Sequence, residues 1–207
     1  AHEFFRDAAA ETGLAGLAAY RVWLTDLDGD GLPEAVFQTR DERGPVNPGG
    51  TAHVFANMAD PRAPGGRRFV EVHGAIPERA GGACAADARH VGVFVVAGDV
   101  DNDGVLDLFR PVYQEQADHA EWPDTGERST VLRGVGTAGQ PRFEAFPAPG
   151  VDADGPVTTC AAAFLDVNRD GNLDLFVGNW YVRFGTNLLA HPDRLFLGDG
   201  AGQFFDV

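Results

Sequence analysis

The chain has 207 residues, 44% hydrophobic and 10% aromatic, enough to bury a substantial core, and one repeat-built domain (1–207) is the simplest count. A formal net charge of −15 argues against nucleic acid and anionic membrane as partners. No apolar run approaches a membrane span, and no targeting segment precedes the fold, as suits a processed secreted protein or an excised segment.

In chain order, Glu3-Phe4-Phe5-Arg6-Asp7 reads as a short strand. An acidic loop follows, Asp26-Leu27-Asp28-Gly29-Asp30-Gly31-Leu32-Pro33-Glu34. Strand candidates come next at His53-Val54-Phe55-Ala56 and Phe69-Val70-Glu71-Val72. The series then repeats. Val91-Gly92-Val93-Phe94-Val95-Val96 leads into the loop Asp99-Val100-Asp101-Asn102-Asp103-Gly104-Val105-Leu106-Asp107, followed by Thr130-Val131-Leu132-Arg133 and Phe143-Glu144-Ala145-Phe146. The third series holds the loop Asp166-Val167-Asn168-Arg169-Asp170-Gly171-Asn172-Leu173-Asp174, then Arg194-Leu195-Phe196-Leu197 and Phe204-Phe205-Asp206-Val207.

Oxygen side chains recur at loop positions 1, 3, 5 and 9, with glycine at 6. Calcium takes six to eight oxygens in flexible geometry, whereas magnesium demands a near-ideal octahedron, and zinc and copper prefer nitrogen and sulfur. Carboxylates at 1, 3 and 5 can converge on one ion, a carbonyl at 7 can add a ligand, and the acid at 9 can close the shell. The loops begin like an EF-hand but do not continue as one. Position 12 is Phe37, Arg110 or Val177, and the flanks are strand-like. Each loop is therefore expected to join two strands of a hairpin.

The first loop acids stand 73 residues apart (26 to 99), then 67 (99 to 166). Each period holds four short strands. This predicts an all-β, β-propeller-type array of four-stranded antiparallel blades, about three of them, with repeat units at 4–68, 69–142 and 143–207. Propellers need roughly four to eight blades. The chain is thus expected to be a fragment, to be completed by another copy or a partner subunit, or to form an open stack whose edges need cover.

The loops and their apolar flanks, Ala163-Phe164-Leu165-Asp166 and Leu173-Asp174-Leu175-Phe176-Val177, resemble FG-GAP/VCBS repeats, which build the propeller of integrin α subunits and many bacterial extracellular proteins. Phe4 to Leu14 and Asp193 to Phe204 further resemble the branch containing cartilage acidic protein and its bacterial relatives (the ASPIC/UnbV type). The resemblance implies calcium at three sites: Asp26, Asp28, Asp30, Leu32 and Glu34; Asp99, Asp101, Asp103, Val105 and Asp107; and Asp166, Asn168, Asp170, Asn172 and Asp174. Glu34 and Asn168 depart from the pattern, and Arg169 adds positive charge to the third loop.

Calcium sites of low affinity work outside the cytosol, so an extracytoplasmic location is expected. Cys84 and Cys160 fit either a disulfide between adjacent blades or two small buried thiols. The connections at 38–52, 74–90, 111–129, 147–159 and 178–193 are expected at the end opposite the acidic loops. There Tyr113, His119, Trp122, Trp180, Tyr181, Arg183 and His191 are candidate contacts for a protein or glycan partner. Trp180 and Tyr181 could equally close the core of the third blade. His53 and His73 read as structural. No GxSxG, HExxH or phosphate loop occurs. A non-catalytic binding, adhesion or assembly scaffold is therefore expected. An accessory subunit of a larger membrane-associated complex and a carbohydrate-active propeller are the other readings.

Overall fold

The computed structural model describes residues 6–39, 52–77, 94–113, 128–146, 149–151, 157–182 and 189–207. They form an all-β architecture of three four-stranded antiparallel sheets, each built from consecutive strands. Sheet 1 comprises β1 (Ala19–Thr25), β2 (Glu34–Thr39), β3 (Ala52–Ala59) and β4 (Arg67–Glu71). Sheet 2 comprises β5 (Val96–Gly98), β6 (Asp107–Arg110), β7 (Thr130–Gly134) and β8 (Phe143–Ala145). Sheet 3 comprises β9 (Thr159–Leu165), β10 (Asp174–Asn179), β11 (Arg194–Gly198) and β12 (Phe204–Asp206). Among the described residues the one helical element is a 3-10 turn, Pro64–Gly66. This blade-like arrangement agrees with the all-β expectation.

Apolar residues on alternate faces of the strands stack the sheets in chain order. Val36 and Val54 of sheet 1, with the half-buried Trp23, meet Val95, Leu108 and Leu132 of sheet 2. The opposite face of sheet 2, with Phe109 and Val131, meets Leu175, Val177, Phe196 and Phe204 of sheet 3. Sheet 2 is covered on both faces, so all four residues of β6 are buried, and the strand reads as a continuous run rather than an alternation.

One crossover is made three times. The first residue of the outer-strand aromatic series donates its backbone N–H to the segment that leads into the first strand of its own sheet: Phe69 to Thr12 O at 2.8 Å, Phe143 to Ala75 O at 2.8 Å, and Phe204 to Pro149 O at 3.0 Å. Gly150 allows this approach at sheet 3. Its φ is +76°, and a Cβ there would stand 2.2 Å from Phe204 O.

Two strand expectations change. Arg6 and Asp7 form no strand pairing, Arg6 pairs with Glu11, and the chain turns through Ala8 to Gly13; Glu3, Phe4 and Phe5 lie outside the described residues. In front of the second loop, Phe94 and Val95 form no ladder and the described pairing starts at Val96, while Val91, Gly92 and Val93 lie outside the described residues. The partner strand β6 has only four residues, so the ladder sits hard against the loop, with Val96 opposite Phe109.

Candidate metal centre

Each acidic loop joins the first two strands of its sheet, β1 to β2, β5 to β6 and β9 to β10. The three turns are superimposable in their hydrogen bonds. The acid at position 1 accepts two backbone N–H groups: Asp26 from Asp30 and Gly31, Asp99 from Asp103 and Gly104, Asp166 from Asp170 and Gly171, all at 2.8–3.1 Å. The acid at position 5 accepts the N–H of position 7: Asp30 from Leu32, Asp103 from Val105, Asp170 from Asn172, at 2.8–2.9 Å. Position 6 must be glycine because its φ lies at +86° to +90° in Gly31, Gly104 and Gly171. Position 4 is also left-handed, with Gly29 at φ 73°, Asn102 at 58° and Arg169 at 63°.

The acid at position 9 sits deepest. Glu34 is 1% exposed, and Asp107 and Asp174 are fully buried. One oxygen accepts the N–H of position 2, from Leu27, Val100 or Val167, at 2.8–2.9 Å. The other crosses to the third strand, where Asp107 accepts from Gly134 at 2.8 Å, Asp174 from Gly198 at 2.9 Å and Glu34 from Asn57 at 3.4 Å. This acid therefore ties loop, second strand and third strand together whether or not it also binds an ion. Asn57, Gly134 and Gly198 are site residues that sequence reasoning missed. The glycines were visible only as part of a turn.

In the first two loops the acids converge. Asp26, Asp28 and Glu34 each offer an oxygen within 4.8 Å of the others, as do Asp99, Asp101 and Asp107. These two groups could hold a metal ion. In the second, the Asp101 side chain is 8% exposed, and its Oδ1 is buried without a hydrogen-bond partner. Its other oxygen meets Arg133 Nη2 at 2.9 Å, and Arg133 also lies 3.3 Å from Asp103. Burial, partly offset by the N–H groups of Gly134 and Val100, raises the Asp107 carboxyl to about 6, and the neighbouring Asp101 and Asp103 raise it further. Burial likewise pushes Glu34 up. A buried carboxylate oxygen without a partner beside a hard-to-ionise acid is what a divalent cation would satisfy, and the donor set is all oxygen.

The third loop keeps the backbone pattern but carries Asn168 at position 3, which accepts from Asp170 N at 2.9 Å and donates to the Asp170 carboxylate at 2.8 Å. Hydrogen bonding to the Asn172 N–H holds the Asp170 carboxyl below its ordinary range.

The loops also touch the neighbouring sheet. Asp28 accepts a hydrogen bond from Gly139 N, and Asn102 donates to Asn172 Oδ1 at 3.2 Å and to Gly200 O at 3.4 Å. Acidic loops and outer-hairpin turns therefore share one end of the stack.

At the other end Tyr113 bridges to Thr158, and its hydroxyl meets that of Tyr181 at 2.6 Å. Trp180 meets the Tyr181 ring at a tilt of 48° with centroids 4.7 Å apart and is 52% exposed, so it does not close the blade core. Burial pushes the His191 ring pKa down. His119, Trp122 and Arg183 lie outside the described residues, as does Cys84. Cys160 is exposed on β9 rather than buried, and its thiol donates to Gly178 O at 3.5 Å. His53 Nδ1 lies 2.6 Å from Glu71, within sheet 1. His73 is exposed, 3.5 Å from the same carboxylate. No helix among the described residues is long and apolar enough to cross a membrane.

The chain matches no family model and no curated protein.

Proposed function

We propose that the chain is a calcium-binding, non-catalytic segment of an extracytoplasmic β-propeller, serving as a binding or assembly scaffold. The observation that carries this reading is the second loop. Three acids converge within 4.8 Å, and Asp101 presents a buried oxygen that no group among the described residues satisfies. The first loop repeats the convergence, and the third repeats the backbone frame. Asp26, Asp28 and Glu34, and Asp99, Asp101 and Asp107, would hold the ions. Asp30 and Asp103, with the carbonyls of Leu32 and Val105, complete the oxygen set. Asp166, Asn168, Asp170, Asn172 and Asp174 would form a third, less acidic site. The resemblance to FG-GAP/VCBS repeats supports calcium in particular, as does the size and flexibility of an all-oxygen ring.

Calcium at these loops would stiffen hairpins rather than react. At a free concentration 1,000 times its dissociation constant, each ion adds about 4 kcal/mol if it binds only the fold. The protein or glycan partner then belongs at the end away from the loops, where Trp180 and Tyr181 are presented. Calorimetric titration of the chelated protein with calcium and magnesium tests the reading. Saturable calcium binding, and a melting temperature that drops on chelation, are expected. No binding heat and no shift would overturn it.

A second reading, an accessory subunit in a larger assembly, is favoured by the two apolar outer faces of the stack. Val22 and Leu24 on sheet 1 and Phe176 and Phe205 on sheet 3 stand 40–62% exposed.

A further inference from the structure

The second acidic loop differs from the other two in what faces it from the third strand of its sheet. Arg133 on β7 directs its guanidinium at the loop, with Nη2 2.9 Å from Asp101 Oδ2 and 3.3 Å from Asp103 Oδ2. One cationic nitrogen thus holds the acids at loop positions 3 and 5 together. Arg133 immediately precedes Gly134, whose N–H meets Asp107. The residues in that place in the other sheets, before Asn57 and Gly198, are Ala56 and Leu197, and neither carries a charge. In sheet 1, Arg67 stands 4.0 Å from Asp30, but its guanidinium is already engaged by Asn57 Oδ1 and Asn57 O. In the third loop it is the neutral Asn168 amide that meets Asp170.

Arg133 also has a second seat within reach. The residue directly opposite it on β8 is Glu144, which is exposed and, among the described residues, in no ion pair. Residues paired in this way share one face of the sheet, with Cβ atoms about 4.5–5.5 Å apart. The Phe146 ring, two residues farther on, lies with its centroid 5.9 Å from the Arg133 guanidinium carbon, a cation–π contact on the same side. A guanidinium and a divalent cation would draw on the same carboxylates of this loop. They repel each other, and water screens them little where the Asp101 side chain is only 8% exposed.

We propose that Arg133 is a built-in competitor at the second loop: it contends with calcium for Asp101 and Asp103, yields by turning to Glu144, and so holds down the calcium affinity of this loop. The proposal rests on the calcium reading above and deepens it. All of its parts lie in sheet 2 and its own loop.

Hydrogen exchange with mass spectrometry, read on residues 99–107 across a calcium titration, gives this loop a midpoint of its own. Arg133→Met should lower that midpoint about tenfold. Arg133→Lys, which keeps a point charge without the planar fork, should lower it by less. In chelator, Arg133→Met should lower the melting temperature, because the acids lose their counter-charge. Tighter calcium binding together with a less stable chelated protein is a pair of signs that a merely structural arginine would not give. Glu144→Gln should raise the midpoint in the otherwise unaltered chain. Beside Arg133→Met it should change the midpoint less than about twofold, because the seat matters only while Arg133 needs it. Circular dichroism is the folding control, and Arg133→Lys and Glu144→Gln carry the test if Arg133→Met does not fold. A midpoint that Arg133→Met leaves unchanged or raises, or an equal effect of Glu144→Gln in both backgrounds, would overturn the proposal and leave the metal reading standing. No calcium-dependent protection at any of the loops, in any of these proteins, would overturn both.

Discussion

Glu34 reaches the backbone N–H of Asn57 at 3.4 Å, where the shorter Asp107 and Asp174 reach Gly134 and Gly198 at 2.8 and 2.9 Å. The two differences compensate. A Cβ on Gly134 would stand 2.3 Å from Leu106 O, and one on Gly198 2.1 Å from Leu173 O, so glycine brings those strands close enough for aspartate. Sheet 1 has Asn57 in that place, and its side chain donates to the equivalent carbonyl, Pro33 O, at 3.1 Å. The strand stands farther off, and the extra methylene of glutamate spans the gap. Glu34 is thus a fitted member of the repeat rather than a weakened one.

This pairing predicts a coupling. Glu34→Asp alone should leave the half-buried Asn57 N–H without its carboxylate and cost about 1 kcal/mol. Asn57→Gly together with Glu34→Asp should recover a good part of that loss, giving a non-additive cycle in denaturant titrations. Strict additivity would show that the two residues act independently.

Much of the fold was legible locally. The strands β3, β4, β7, β8, β11 and β12 fall within a few residues of their expected places, because β-branched and aromatic runs between glycine turns are local signals. The acid at position 9 was legible as part of a loop. Its partners were not, because the N–H groups it meets lie 23 to 27 residues away on a third strand. The strand expected at Glu3 to Asp7 rests on a sheet alongside it, and no such sheet pairs with Arg6 or Asp7.

The contact from Gly139 N to the Asp28 carboxylate crosses from sheet 2 to the first loop. An ion drawn in by Asp26, Asp28 and Glu34 would fix Asp28 and, through it, the turn at Thr137 to Gln140. Chelation should therefore speed amide exchange in that turn as well as in the loop. Asp28→Ala should reproduce the effect in the presence of calcium, read by hydrogen exchange with mass spectrometry. Unchanged exchange at Gly139 would disconnect the loop from the neighbouring sheet.

The pH dependence follows from Asp107. Its carboxyl is raised from 3.8 to about 6, chiefly by burial, so the fold favours the neutral form. The penalty of ionising it is absent below about pH 4, grows between 4 and 6, and is complete above 6. In metal-free protein this group therefore adds stability as pH falls from 6 to 4, and Glu34, raised in the same direction, acts alike. Ions need the charged form, so binding below pH 6 should expel protons. Calcium titration at pH 5 in weakly buffered solution should acidify the sample, and titration at pH 7.5 should not. Equal proton release at both values would contradict the burial of Asp107.

Arg169 is the residue of the third loop that fits least. It holds φ at 63°, a region that costs an ordinary L-residue about 1–2 kcal/mol, at the position where the other loops use Gly29 and Asn102. Glycine would relieve the strain but would also loosen the unfolded chain, which offsets part of the gain. Asparagine tolerates the left-handed region without that cost. Arg169→Asn should therefore stabilise the protein by about 0.5–1 kcal/mol and raise its melting temperature by a few degrees at most. It also removes a cation from a ring that would host another, so calcium affinity at the third loop should rise. The converse change, Asn102→Arg, should destabilise the second loop twice over. It imports the strain and breaks the side-chain bonds to Asn172 and Gly200 that join the second and third sheets. A neutral Arg169→Asn beside a damaging Asn102→Arg would assign the loss to the inter-sheet bonds alone. A gain in the first with a loss in the second marks the left-handed position as the common cause.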